Sequence, residues 1–285
     1  MHNPLNSSGN KNPSMSNLFS SPFTFSQSSL QDYVDCPRRF QLRYIEKLQW
    51  PAVETAPELE NERRQIEGQN FHKMVQQFFI GLPSEKLTLF ATTENLKRWW
   101  KNFLAHPPQG VNQALYTELT LSAPIENHRI VAKYDLIAVN PGNSIIIYDW
   151  KTYRRRPNNS WLVNRMQTKV YQTLLVEAGT HLNNDKSFKP DQVEMIYWFA
   201  DFPDDHAKFN LDDAKFTNAW NELNQLVKEI QAKQSFPLTD DEKICGYCVF
   251  RSYCERGINA SKDEETEIDS IVENFSFDQI QEVEF

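Results

Sequence analysis

No apolar run in this chain exceeds the six residues from Met195 to Ala200, whereas a bilayer-spanning helix needs about 20. A transmembrane helix is therefore excluded. The amino terminus also lacks the basic-then-apolar pattern of a secretory signal, so the cytoplasm is the expected compartment and no membrane partner is expected. Cysteine is limited to four residues, and in a reducing compartment these are not expected to form disulfides. No GxxxxGK[ST] phosphate loop occurs, so any unwinding of nucleic acid has to come from a partner. Internal repeats are also absent.

The chain has 285 residues, of which 40% are apolar and 24% charged, enough for a core that removes about three quarters of the unfolded surface from water. A net charge of -8 argues against nucleic acid until it is divided along the chain. Residues 258–285 hold nine acids against Lys262 alone, leaving 29 acids and 29 bases in residues 1–257. Residues 150–176 contain no acid but include Lys151, Arg154, Arg155, Arg156, Arg165 and Lys169, a strip suited to a phosphate backbone.

Residues 1–22 are rich in Ser, Asn and Pro and read as a disordered tail. Residues 23–257 form the folded body, and the acidic residues 258–285 read as a second disordered segment. A helix is expected from Ser26 or Ser28 through Tyr44, with Pro37 as a point of breakage. A second helix, about 58–80, carries Ile66, Phe71, Val75, Phe78 and Phe79 at helical spacing. After a helical stretch near Leu96 to Leu104, three β-type runs follow, at 115–121, 129–139 and 144–151. Asn140-Pro141-Gly142-Asn143 joins the last two as a hairpin turn. Ile145 to Tyr148 is apolar on both faces, as in a strand covered on each side. A helix over 161–177, a strand over 193–199 and a helix over 212–233 complete an α/β sandwich.

In a strand, residues two apart share a face, so Asp149 and Lys151 project together while Trp150 turns away. Burying such a pair is costly unless it has a task. Asp135 lies on the neighbouring strand, within reach across the hairpin. Two carboxylates and a backbone carbonyl suit Mg2+ or Mn2+, and a lysine can orient a water for attack on phosphorus. Asp149-x-Lys151 alone reads better as a surface ion pair at a strand end, which is common. His72 on the core helix, Glu118 on the preceding strand, and Gln167 with Tyr171 on one helix face each have an ordinary structural reading too.

Their order, however, resembles the RecB-like branch of the PD-(D/E)XK nuclease superfamily. The matching segments are Gly68-Gln69-Asn70-Phe71-His72, Lys133-Tyr134-Asp135-Leu136-Ile137, Tyr148-Asp149-Trp150-Lys151-Thr152 and Gln167-Thr168-Lys169-Val170-Tyr171. Ser26-x-Ser28-x-Leu30 through Cys36-Pro37-Arg38-Arg39-Phe40 is similar to that family's opening, and the likeness spans about residues 26–256. It implies a restriction-endonuclease-like sandwich with a mixed central sheet, an amino-terminal helical region and a carboxyl-terminal cysteine segment. It also implies that His72, Asp135, Asp149 and the Trp150 carbonyl hold Mg2+ or Mn2+. Lys151 would place the nucleophilic water, with Gln167 and Tyr171 supporting the site or the DNA backbone and Glu118 at a less constant acidic position. Arg154, Arg155, Arg156, Arg165 and Lys169 are the candidate DNA contacts. Ala132 and Tyr153 stand where relatives often carry Gly, a departure that concerns backbone shape rather than chemistry.

Cys245-x2-Cys248-x5-Cys254 closes the folded body and Cys36 lies in its first helix. Four thiolates can ligate Zn2+ or a 4Fe-4S cluster, while a CxxC pair and a buried free cysteine are the ordinary alternatives. The spacing is similar to the iron-sulfur variant of the same family, seen in CRISPR-associated RecB-type and AddB-type nucleases, which implies a 4Fe-4S staple across the domain. The expected activity is DNA phosphodiester hydrolysis, with exonuclease action on single-stranded ends, beside a helicase or a CRISPR adaptation or repair complex. The alternative is a non-cleaving nucleic-acid-binding or assembly subunit on the same fold. Phe275, Phe277 and Phe285 alternate with acids in the tail, a pattern suited to a basic groove.

Overall fold

The computed structural model describes residues 22–48, 56–108, 114–246 and 248–257, with residues 56–62 in backbone only. Both end segments expected to be disordered, including Phe275, Phe277 and Phe285, therefore lie outside the described residues, apart from residue 22.

The chain enters through a short strand, β1 (Thr24–Ser26), and turns directly into α1 (Gln27–Asp35). Ser26 caps that helix reciprocally: its hydroxyl accepts from the Ser29 N–H at 3.2 Å and the Ser29 hydroxyl accepts from the Ser26 N–H at 2.9 Å. Pro37 breaks the expected long helix. It occupies the first turn of α2 (Pro37–Phe40), where its missing N–H costs nothing, and one π-helical turn follows, Gln41–Ile45.

The long α3 (Ala56–Phe79), α4 (Ser84–Thr88) and α5 (Glu94–Ala105) precede the sheet. Its strands are β2 (Ala114–Ile125), β3 (His128–Asn140) and β4 (Ser144–Lys151). The Asn140 to Asn143 turn is closed by the Asn143 N–H donating to the Asn140 carbonyl at 3.0 Å, with Gly142 at φ +79°. The helix expected over 161–177 is two helices, α6 (Asn159–Asn164) and α7 (Met166–Ala178), because Arg165 is extended between them. β5 (Val193–Phe199), β6 (Phe202–Asn210), α8 (Asp213–Ala232) and the short α9 (Glu242–Cys245) complete the described strands and α-helices.

The sheet runs β1-β3-β4-β5-β6, with β2 along the other edge of β3. It is mixed: β1 is parallel to β3 and β4 to β5, while β2–β3, β3–β4 and β5–β6 are antiparallel. Helices cover both faces. Ile145 and Ile147 of β4 pack with α1, α7 and α8 through Leu30, Val170, Leu174 and Val227. Tyr148 and Trp150 point to the other layer, among Phe71 of α3 and Trp99, Trp100 and Phe103 of α5. Each such side chain contributes about 1.5–3 kcal/mol by leaving water. Among the described residues no helix is long and apolar enough to cross a membrane.

One gap in this sheet matters for function. β1 and β4 both pair with the same edge of β3, β1 as far as Val131 and β4 from Leu136 onward. Residues 132–135 have no strand beside them on that edge.

Candidate active site

Asp135 stands at the end of that gap. Extending the β3–β4 register by one step sets Asp135 opposite Asp149, where the two strands have already parted. The Trp150 N–H, which a continued ladder would have paired with β3, instead donates to Asp135 Oδ2 at 2.9 Å. Parting the strands exchanges a backbone acceptor for a carboxylate and leaves no orphaned donor. The other oxygen of Asp135 lies 3.1 Å from His72 Nδ1.

His72 is delivered by α3, which passes close to the end of β4. A Cβ on Gly68 would lie 3.1 Å from Thr152 Oγ1, so the helix approaches because that residue has none. His72 follows one turn later, on the same side. Burial alone would depress its pKa, but the Asp135 and Asp149 carboxylates outweigh burial and raise it to about 9. Burial opposes ionisation of Asp135; His72, the Trp150 N–H and Lys151 together nevertheless hold its carboxyl below the usual range.

Asp149 and Lys151 share a face of β4, as a period of two requires, and are 2% and 4% exposed. With Gln167 of α7 they form a closed triangle. Lys151 Nζ lies 2.7 Å from Asp149 Oδ2 and donates to Gln167 Oε1 at 2.9 Å, while Gln167 Nε2 donates to Asp149 Oδ1 at 2.7 Å. Only one orientation of the Gln167 amide satisfies both neighbours. The Lys151 ammonium also stands 5.3 Å from the ring centre of Tyr197 and 5.9 Å from that of Tyr153.

Tyr171, one turn beyond Gln167, donates its hydroxyl to the Lys133 carbonyl at 2.7 Å and ties α7 to β3 beside the gap. Burial first, then the two carboxylates, push its pKa well up, so it remains a neutral donor. Glu118 adopts a left-handed backbone, φ +53°, and pairs with Lys133 at 2.5 Å. It borders the constellation without touching Asp149 or Lys151 in any described bond.

The basic strip divides. Arg154 and Arg155 are exposed. Arg156 pairs with Asp205 at 3.0 Å and lies over Phe199, Arg165 covers the Trp161 ring at 4.6 Å, and Lys169 pairs with Glu222 at 2.6 Å. Those three already serve the fold.

Cys36, Cys245, Cys248 and Cys254, distant in sequence, line one cavity together with Arg39 and Arg251. Burial and their mutual proximity raise the thiol pKa values of Cys245, Cys248 and Cys254. Among the described residues no three His, Cys, Asp or Glu side chains are grouped so as to hold a metal ion. At the strand gap the donors match a hard divalent cation in kind, an imidazole and two carboxylates. Their lone pairs are turned to one another and to Lys151 and Gln167.

A family model described as the PD-(D/E)XK nuclease superfamily matches residues 24–255. The chain belongs to that superfamily. Its mixed α/β architecture is that of a restriction-endonuclease-like fold, and nuclease hydrolysis is the activity the superfamily carries, typically with Mg2+ or Mn2+. Among solved structures the chain is similar to SSO0001, at 15% identity and a TM-score of 0.41, over 83% of this chain and 88% of the other. It is also similar to a protein of Eubacterium rectale provisionally named an exonuclease, at 9% identity and a TM-score of 0.48, over 84% and 90%. Both likenesses are too distant to carry an activity from one chain to the other. Among proteins with curated descriptions none matches.

Reasoning from sequence missed one residue that bears on this site, Gln31. Its carboxamide accepts from the Met166 N–H across 135 positions of chain, and no local pattern marks such a partner.

Proposed function

We propose that this superfamily member is a RecB-like, metal-dependent deoxyribonuclease that acts as an exonuclease on single-stranded ends, in DNA repair, recombination or CRISPR-type defence. The observation that carries the reading is the triangle of Asp149, Lys151 and Gln167 beside a gap in the sheet, with Asp135 across it. A lysine so held has its ammonium fixed in direction, which a surface pair does not achieve. His72, Asp135, Asp149 and the Trp150 carbonyl would hold Mg2+ or Mn2+, whose chemistry when bound is to neutralise charge on the phosphate and to favour hydroxide over water. Lys151 hydrogen-bonds the attacking water and orients it in line with the bond to be broken. Gln167 keeps Lys151 from collapsing further onto Asp149. As its oxygen forms the new P–O bond the water gives up a proton to solvent, and as the ester P–O bond breaks the leaving alkoxide takes one up from solvent. The exposed Arg154 and Arg155 follow Lys151 by three and four residues and suit the phosphates of an entering strand.

The four cysteines around one cavity would hold a 4Fe-4S cluster, with Zn2+ as the lesser alternative. The support is their donor chemistry together with their convergence from the junction of α1 and α2, where Cys36 is extended between the two helices, and from the carboxyl-terminal segment. Such a group would act as a staple between the ends of the domain. Cys36→Ala is then expected to lose iron, colour and stability together; a variant that keeps all three would remove the cluster from this account.

The test is cleavage of end-labelled single-stranded and duplex DNA with Mg2+ or Mn2+ by anaerobically purified protein, beside Lys151→Ala and Asp149→Ala. Metal-dependent cleavage that falls at least about 100-fold in both variants, with DNA binding kept in Asp149→Ala, is the expected result. An intact protein that binds DNA but cleaves neither substrate is instead a binding or assembly subunit. Association with a helicase or a CRISPR adaptation complex is a separate proposal, read by co-purification from the native cell.

A further inference from the structure

Helix α7 carries Gln167 and Tyr171 into the site, yet its own start has no local cap. Arg165 occupies the capping position, and its side chain makes no capping hydrogen bond. The first amide, the Met166 N–H, is instead taken by Gln31 Oε1 of α1 at 3.0 Å, and Gln31 is 6% exposed. An uncapped amide at a buried helix start is costly, and the acceptor that satisfies it fixes where the helix begins. Gln167 is the next residue.

The other end of the Gln31 carboxamide is also held. Its Nε2 donates to Asp35 Oδ1 at 2.7 Å, and Asp35 Oδ2 accepts from Arg39 at 2.8 Å. Arg39 lines the cysteine cavity. A continuous polar path therefore runs from the cavity through Arg39, Asp35 and Gln31 to the start of α7, and from there to the Asp149 and Lys151 triangle. With both its polar atoms used, the Gln31 amide cannot flip without losing both bonds, one of them fully buried.

We infer that Gln31 is a positioning residue: by capping α7 it sets Gln167 against Asp149 and Lys151, and through Asp35 and Arg39 it anchors that setting to the wall of the cysteine cavity. The role rests on the nuclease reading only for its effect on rate; its effect on Gln167 is independent of any reaction.

The experiment compares wild type, Gln31→Leu and the double variant Gln31→Glu with Asp35→Asn as full-length, anaerobically purified proteins. Two quantities are read: kcat and KM for single-stranded DNA with Mn2+, and the Gln167 side-chain amide resonances, assigned with Gln167→Leu. Gln31→Leu is expected to lower kcat about tenfold or more, since a misplacement near 1 Å can cost that much, with KM within about twofold. The Gln167 resonances shift or broaden in the same variant. Gln31→Glu combined with Asp35→Asn keeps an acceptor for the Met166 N–H and only reverses the donor of the 31–35 bond, the amide introduced at position 35 now donating to the carboxylate, so most of kcat and the resonances return. If Gln31→Leu does not fold, Gln31→Asn, one methylene too short to reach, takes its place with the same expected losses. Unchanged Gln167 resonances in the Leu or Asn variant overturn the inference, as does a loss that the double variant fails to restore. If wild type does not cleave, the nuclease reading fails and the resonances alone decide the role of Gln31.

Discussion

Glu118 of β2 and Asp135 of β3 lie between the register pairs Thr117–Leu136 and Leu119–Tyr134, and at that step both strands exchange the face they turn to each layer. Before it, Tyr116 packs with the α7 layer and Leu115 with the α3 layer; after it, Leu119, Leu121 and Ala123 face α7. In β3, Tyr134 and Ile137 face α7 whereas Leu136 faces α3. A strict period of two cannot do this. The paired irregularity, with Glu118 at φ +53°, turns Asp135 along the sheet toward the Trp150 N–H.

A left-handed backbone costs a non-glycine residue about 1–2 kcal/mol. Glu118→Gly removes that cost and the half-exposed pair with Lys133, which is worth less than about 1 kcal/mol. Urea denaturation is expected to find Glu118→Gly as stable as wild type or more so, and Glu118→Val less stable than Glu118→Gly by about 1–2 kcal/mol. Equal stability of the two variants would show that the backbone at 118 is unstrained.

Asp32 is fully buried and joins two guanidiniums, Arg39 at 2.8 Å and Arg43 at 2.5 Å. Deleting one partner of a buried ion pair leaves uncompensated charge, at a cost of about 3–5 kcal/mol. Asp32→Ala should therefore unfold at a markedly lower denaturant concentration than Asp35→Ala, whose carboxylate is partly exposed. The comparison of midpoints decides it.

His128 opens β3 and accepts the Phe23 N–H at Nδ1, 2.8 Å, which requires that nitrogen to be unprotonated. Burial lowers its pKa below the ordinary value of 6.5. Below that pH the unfolded chain takes up a proton that the folded chain resists, so this contribution is complete above 6.5 and is lost as pH falls through the depressed folded value. Thermal melts from pH 7.5 to 5 are expected to fall more steeply for wild type than for His128→Leu. Parallel slopes would remove His128 from the acid response.

Gly68 in mid-helix forgoes about 1 kcal/mol relative to Ala, which the approach of α3 to Thr152 explains. Gly68→Ala asks Thr152 to give by a few tenths of an ångström and should change stability little. Gly68→Val adds two more carbons and is expected to cost about 1–3 kcal/mol. It should also reduce cleavage, because the same displacement draws His72 away from Asp135. A Val variant that melts like the Ala variant would mean the helix has room there.

Local rules made much of this molecule legible. β4 and β5 span the residues expected from their apolar and alternating pattern, 144–151 and 193–199, Pro37 breaks the first helix, and Gly142 turns the hairpin. β1 was not legible because three residues make no pattern. β6 was not because Phe202-Pro203-Asp204-Asp205-His206 has the composition of a loop, and its charges suit the sheet edge it occupies. The break at Arg165 escaped notice because α6 and α7 share one apolar periodicity.

The sequence by itself determined that Asp149 and Lys151 share a face with Trp150 behind them, since alternation is a property of three consecutive residues. It also determined the chain order of His72, Asp135, Asp149, Lys151 and Gln167. Only the tertiary structure decided that β3 and β4 part at Asp135, that Gln31 caps a helix 135 positions away, and that Cys36 meets the carboxyl-terminal cysteines at one cavity. Those relations depend on partners that no local period specifies, and they arise when a buried donor or charge must find its acceptor in whatever element packs beside it.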